Sequence, residues 1–447
     1  MIKMFLSKAP SFFLLTLAFL ICSSVTRLHA QLSRVEKKVV SYVDKHNPEA
    51  MRLWEQVVNI NSGTMNFDGV HKVGQVFRAK LDALGFQTRW VDGKTFNRAG
   101  HLIAEHKGKN KSSKTILLIG HLDTVFELSS PFQKFSMVND STITGPGAAD
   151  MKGGNVVMVQ ALQALKDAGL LENMNIIVVM GGDEELSGEP LAMARHDLIE
   201  AAKQADIAIG FEDGDGRFET ANIARRSSSD WELKVTGVPS HSSQVFTEKV
   251  GAGAIYEASR ILHEFYKALS TEPNLTFNPG VILGGTAVEY DADMNGGKAS
   301  GKNNIVAKDV FVTGDIRAMS PEQLKKAQDV MKEIASRHLP NTQAELVFGE
   351  GYPPLAPTDG NYKLLGYFDK VSTDLGYGSV RAVNPRDAGA ADISFTSGYI
   401  DMAMDGLGLR SSGGHTVNET ADPRTLPMQT KRTAVLLYRL AYEKGLD

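Results

Sequence analysis

Three apolar runs in this 447-residue chain end on groups that could bind metal or move protons. "ILLIGHLDTVF" (116–126) runs into His121 and Asp123, "NMNIIVVMGGDEE" (173–185) into Asp183-Glu184-Glu185, and "AKQADIAIGFEDGDG" (202–216) into Glu212. "GPGAADMKGG" (145–154) sets Asp150 in a glycine-rich loop, and "SSGGHTVNETAD" (411–422) sets His415 among small residues. Any one of these acids alone reads as a solvated loop residue. Together, two histidines and several carboxylates are the donor types two zinc ions need. A shared carboxylate can hold two metals about 3.5–4 Å apart. One further carboxylate, outside the ligand set, can then take a proton from water.

Such a set works only if one scaffold gathers it. The three runs alternate with helix-patterned segments, which argues for a largely parallel sheet with helices on both faces. In open sheets of this type functional groups collect beyond the carboxyl ends of the strands. "HNPEAMRLWEQVVNI" (46–60) reads as a helix capped by Asn47, with Pro48 in its first turn. "HKVGQVFRAKLDALGF" (71–86) reads as a second, stopped by Gly85, and "GGNVVMVQALQALKDAGLL" (153–171) as a third.

Near Arg225 the texture changes. "SSSDWELKVTGV" alternates like a strand and "VGAGAIYEASRILHEFYKAL" is helical. "KNNIVAKDVFVTGDIRAM" reads as a pair of strands. "SPEQLKKAQDVMKEIASRH" is a helix with Ser320 as cap, Pro321 in its first turn and Gln323 completing a capping box, and "QAELVFGEGYPP" a closing strand. That β-α-β-β-α-β order predicts a small inserted α+β domain over 226–352. The larger α/β domain then comprises 31–225 and 353–447, ending in an amphipathic helix from Met428.

"GHLDTVF", "GPGAADMKGG", "GDEELSGEP", "GFEDG", "GVPSHSS" and "GGHTVNET" follow one another as in the dinuclear-zinc exopeptidases, which the chain resembles from about residue 45 onward. That family includes glutamate carboxypeptidase, aminoacylase, succinyl-diaminopimelate desuccinylase and several dipeptidases. The glutamate carboxypeptidase-like members are the nearest in motif. The resemblance implies a mostly parallel zinc-exopeptidase catalytic domain with a ferredoxin-like lid and dimerisation domain. It implies two Zn²⁺ per subunit, with Co²⁺ or Mn²⁺ as substitutes. His121, Asp150 and Glu212 would hold one ion, and Asp150, Glu185 and His415 the other. Asp123 would orient His121, Glu184 would be the general base, and the peptide bond after Asp150 would be cis. From the lid, His241 would stabilise the oxyanion, and Asn304 and Arg317 would bind the substrate's carboxylate. Two segments depart from the family. "FEDGDG" lacks the proline that often follows the third ligand, and "GLRSSGGH" differs from the usual approach to the last histidine.

The first thirty residues carry Lys3, Lys8 and Arg27, no acid, and an apolar run from Phe12 to Cys22. That pattern predicts a cleaved export signal with the mature chain starting near Gln31, hence a periplasmic or secreted protein. The run is short of the roughly 20 residues a bilayer span needs. Cys22 is the one cysteine, so the mature chain has neither disulfide nor thiol nucleophile. Losing the signal takes the formal charge from −4 to −7, which gives no reason to expect nucleic acid or an anionic membrane as partner. No G-x-S-x-G elbow suggests a serine hydrolase. The expected activity is release of a C-terminal amino acid, glutamate included, from a peptide or N-acyl amino acid by a homodimer paired through its lids. An aminoacylase or dipeptidase on the same site, and a non-catalytic metal-dependent binding protein, are the alternatives.

Overall fold

The computed structural model describes residues 32–110, 113–292 and 294–442. The expected signal segment lies outside them. Strands β1 (Gln87–Asp92), β2 (Gly100–His106), β3 (Thr115–His121), β4 (Asn175–Gly181), β5 (Ile207–Gly210), β6 (Ser229–Gly237), β7 (Thr276–Gly285), β8 (Asp309–Arg317), β9 (Thr342–Phe348) and β10 (Met402–Met404) build the two main sheets.

The larger sheet runs β1-β2-β4-β3-β5-β10. Its four strands β4, β3, β5 and β10 are mutually parallel, and the β1–β2 hairpin closes one edge antiparallel. Strands such as "ILLIG" and "IIVVMG" are buried on both faces, as continuous Val/Ile/Leu runs in a covered parallel sheet should be. The helix Lys152–Asp167 lies against this sheet and is buried nearly all round. Its Gly154 permits that approach, because a Cβ there would meet the Phe211 carbonyl oxygen at 2.0 Å.

The first helix differs from its expected start. It runs Arg34–Val58, and Asn47 and Pro48 lie inside it. Ser33 caps it: its hydroxyl accepts the Glu36 N–H (3.2 Å) and the Glu36 carboxylate accepts the Ser33 N–H (2.7 Å). Pro48 forgoes one bond within a helix whose Val39, Val43, Leu53 and Trp54 are buried in the main core. The second helix ends as expected, with Gly85 left-handed at φ +93°.

The smaller sheet is antiparallel, in the order β7-β8-β6-β9. Helices Ala254–Leu269 and Pro321–Ser336 cover one face around a core of its own that includes Trp231, Ile261, Phe265 and Met331. The β-α-β-β-α-β order holds, but one strand is not where the sequence placed it. Within 302–319 only β8 is a main-sheet strand; its hairpin-side partner is β7, with Pro279 at a register shift on the edge. Proline survives there because an edge bulge asks for no ladder N–H. A hairpin, Ala287–Asp291 with Gly296–Ser300, fills the interval. The Ser320 cap forms, but Gln323 reaches back to the Met319 N–H rather than to Ser320 itself.

The chain crosses between the two sheets twice, side by side. Arg225 pairs with Leu355 and Ser228 with Tyr352 through reciprocal backbone bonds of 2.9–3.1 Å. No helix among the described residues is long and apolar enough to cross a membrane.

Candidate metal centre

Strand register brings the first donors together. β3 pairs β4 with His121 opposite Gly181, and pairs β5 with Ile119 opposite Gly210. Two residues beyond each of those last partners bring Glu212 alongside His121, with 3.5 Å between His121 Nε2 and Glu212 Oε1. A separate sheet of short strands positions Asp150 and His415, while Glu185 follows β4. Thr142–Thr144 pairs with Thr420–Ala421, which pairs in turn with Ser411–Ser412. This lays the loop leading to Asp150 beside the hairpin that carries His415, a residue in the left-handed region at φ +58°.

Asp150 stands between two groups. Its Oδ1 lies 3.0 Å from His121 Nε2, and its Oδ2 lies 3.0 Å from His415 Nε2. His415 Nε2 is also 3.2 Å from Glu185 Oε2. The donors thus form two triads, His121-Asp150-Glu212 and Asp150-Glu185-His415, sharing one carboxylate. The Asp150–Met151 bond is cis, as the resemblance implied.

The triads fit a pair of metal ions on two counts. Tetrahedral zinc with nitrogen and oxygen ligands at about 2.0–2.2 Å separates its donors by about 3.3 Å, and the contacts above span 3.0–3.5 Å. The second count is charge. Burial, aided by Asp150, pushes Glu212 up to about 8 and Asp213 up to about 7. Burial also raises Glu185, with Asp150 adding to it, and holds Glu184 well above the usual carboxylate range. Acids crowded into so little water call for cations.

Hydrogen bonds fix each donor in place. Asp123 is fully buried behind His121, with Oδ1 3.3 Å from Nδ1. The same carboxylate accepts the Thr64 hydroxyl (2.7 Å) and the backbone N–H groups of Glu184 and Glu185 (3.1 Å each). It therefore orients the imidazole and the acidic turn after β4 at once. Asp405, just past β10, accepts the Glu212 N–H (3.2 Å) and is clamped by Arg225 Nη2 at 2.7 Å. Glu419 accepts the N–H groups of Gly147, Ala149 and Asp150 at 2.8–3.3 Å and so shapes the Asp150 loop. Gly147 needs its φ of +71° in that loop.

Behind the acidic turn lies a second buried network. Arg195 pairs with Asp183 (2.8 Å) and Asp392 (2.9 Å), and its Nη2 donates to the Tyr352 hydroxyl (2.5 Å). That hydroxyl lies 3.1 Å from both the Glu184 carbonyl and Asp392 Oδ1. Tyr352 belongs to the strand pair through which the chain returns from the small sheet, so it ties that crossing to the backbone of Glu184. Replacing Tyr352 by Phe is expected to destabilise the fold by about 1–3 kcal/mol, because buried partners lose their bond. It is also expected to lower kcat by roughly tenfold, about 1.4 kcal/mol, with KM little changed. Steady-state kinetics beside thermal unfolding checks this, and a wild-type kcat would show that Asp123 alone holds the turn.

The lid residues are placed differently. His241 bridges to Ile305 in backbone pairing, and Ser242 N–H donates to the Asn304 carbonyl (2.8 Å), so His241 and Asn304 share one corner of the small sheet's domain. His241 is exposed, with Nδ1 2.9 Å from the Ser243 hydroxyl. Arg317 Nε binds Asp315 at 2.8 Å. Among the described residues, no hydrogen bond or ion pair joins any of the three to the metal triads.

Comparison with known proteins decides the class. Residues 117–439 match the model of peptidase family M20/M25/M40. The chain belongs to that family. This M20 chain is a metallopeptidase, carboxypeptidase-like in sequence. It is similar to carboxypeptidase G2 of Pseudomonas sp. (strain RS-16), with 26% identity over 399 residues, covering 86% of this chain and 88% of that one. Among solved structures it resembles aminopeptidase PepT of Bacillus cereus, with TM-score 0.68 and 18% identity over 89% of this chain and 99% of that one. It also resembles the YXEP protein of Bacillus subtilis, described as a dinuclear metal binding M20 peptidase, with TM-score 0.59 and 14% identity over 89% of this chain and 99% of that one. The α/β architecture with its inserted lid, the enzyme class and the two-metal chemistry expected from the motifs all hold.

Proposed function

We propose that this M20 metallopeptidase is an exported, periplasmic or secreted zinc carboxypeptidase. It cuts the amide bond of peptides or N-acyl amino acids bearing a free α-carboxylate and releases the C-terminal amino acid, with glutamate the first side chain to test. The observation that carries the reading is Glu184. It sits next to a ligand of one triad, yet belongs to neither triad. Among the described residues nothing bonds its carboxylate, while His121, Glu212 and Glu185 all act on its charge. A free, half-buried carboxylate beside two metal triads is what a general base requires.

His121, Asp150 and Glu212 would hold one Zn²⁺, and Asp150, Glu185 and His415 the other, with Co²⁺ or Mn²⁺ able to replace them. When bound, the ions polarise the amide carbonyl and acidify water. Glu184 accepts the proton of the attacking water and passes it to the leaving amine nitrogen. Asp123 keeps the His121 imidazole in the orientation that presents Nε2. The lid, assigned to 226–352, closes over the parts at 31–225 and 353–447. His241 then donates to the carbonyl oxygen as charge grows there. Asn304 and Arg317 grip the substrate's α-carboxylate, Arg317 leaving Asp315 to do so. The lid also pairs two subunits into a homodimer.

The test uses protein beginning at Gln31, loaded with zinc, and a mixture of free dipeptides, N-blocked amino acids and their C-terminal amides, followed by mass spectrometry. Release of C-terminal amino acids from N-blocked free acids, with the amides untouched, is the expected result. Consumption confined to substrates with a free amine would favour a dipeptidase. No consumption by fully zinc-loaded protein would favour the metal-dependent binding protein.

A further inference from the structure

The two segments in which the chain departs from its family meet each other. Ser411 Oγ donates to Asp213 Oδ2 (2.5 Å), and the Ser411 N–H donates to the Gly216 carbonyl (3.3 Å). Arg381 N–H donates to the Glu219 carbonyl (3.0 Å), and Arg381–Ala382 pairs in parallel with Thr220–Ala221. These bonds frame a cavity of about 520 Å³ lined by Arg217, Glu219, Ser379, Arg381 and Arg410. The volume lies within the usual range of small-molecule sites.

Three arginines line this cavity against one acidic residue, Glu219. Among the described residues none of the three closes an ion pair; Asp422, whose N–H donates to the Arg410 carbonyl (2.9 Å), has its carboxylate held by Arg424 at 2.7 Å. Other exposed arginines here do take partners, as Arg89 does with Asp197 and Arg424 with Asp422. Three like charges brought to one concavity by three separate segments repel one another. An oxyanion relieves that repulsion, and the planar fork of arginine grips one with two bonds.

We propose that this pocket binds a small anion of charge −2 or greater, carried on carboxylate, phosphate or sulfate groups. The site is separate from the metal triads, though close to them in the chain: Asp213 follows Glu212, and Arg410 lies five residues before His415. It does not depend on which substrate the metal centre cleaves.

Titration calorimetry on zinc-loaded protein at low ionic strength tests it with three probes. Benzene-1,3,5-tricarboxylate carries three charges too far apart to chelate one metal, sulfate is a compact oxyanion, and benzoate is the monovalent control. The expected result is saturable one-to-one binding of the tricarboxylate or of sulfate, whichever chemistry the pocket is built for, with benzoate at least tenfold weaker. The double variant Arg217→Gln/Arg410→Gln should bind at least tenfold more weakly, while turnover of an N-blocked free acid with an uncharged side chain stays unchanged. Added salt should weaken binding in the wild type. Binding that is unsaturable, or that survives the double substitution because the anion sits at the metals, overturns the proposal.

Discussion

Glu184→Gln retains both metals and loses turnover. The substitution keeps size and shape, and the backbone N–H still bonds Asp123. The side chain belongs to neither donor triad, so metal content should stay at the wild-type value. What disappears is the ability to accept a proton. General-base catalysis contributes about 10²–10⁴-fold, and kcat is expected to fall by at least that factor while substrate affinity changes little. Elemental analysis and kinetics on one preparation check both halves. Retained turnover would move the proton acceptor elsewhere.

Asp150→Ala is expected to empty the site instead. Each Asp150 oxygen serves a different triad, at 3.0 Å from His121 and 3.0 Å from His415. Removing them leaves two protein donors per ion, fewer than the three a catalytic zinc site ordinarily keeps. Bound zinc should drop from two per chain to less than one, with no measurable hydrolysis. His415→Ala is the informative companion, since it weakens one triad and leaves His121-Asp150-Glu212 whole. If Asp150→Ala keeps its zinc, Asp150 does not bridge. The two experiments separate the roles: one variant keeps metal without chemistry, the other loses chemistry through the metal.

The parts of this site that were legible in the sequence are those that end strands. His121, Glu184, Glu185 and Glu212 follow apolar runs, and a parallel sheet must deliver all such ends to one edge. His415 could be named only by motif, because a sheet of two- to four-residue strands brings it to Asp150. The residues that hold the donors were harder to read. Glu419 lies four residues past His415, yet its partners are backbone N–H groups some 270 positions away. Asp405 and Tyr352 carry no local signal at all; their partners are set by how β10 and the crossing at 352–355 pack. The two places where the fold departs from the sequence pattern have equally local causes. Pro279 and Gly280 hid strand β7, since edge bulges tolerate what strand patterns exclude. Pro48 mimicked a helix start inside a helix begun fifteen residues earlier by Ser33.

The central claim is that two ions share Asp150. Crystals of the zinc-loaded protein, measured on both sides of the zinc absorption edge, test it most directly. The account predicts two anomalous peaks per chain about 3.5–4 Å apart, one bounded by His121 and Glu212, the other by Glu185 and His415, with Asp150 between them. A single peak, or two that do not both touch Asp150, would contradict it.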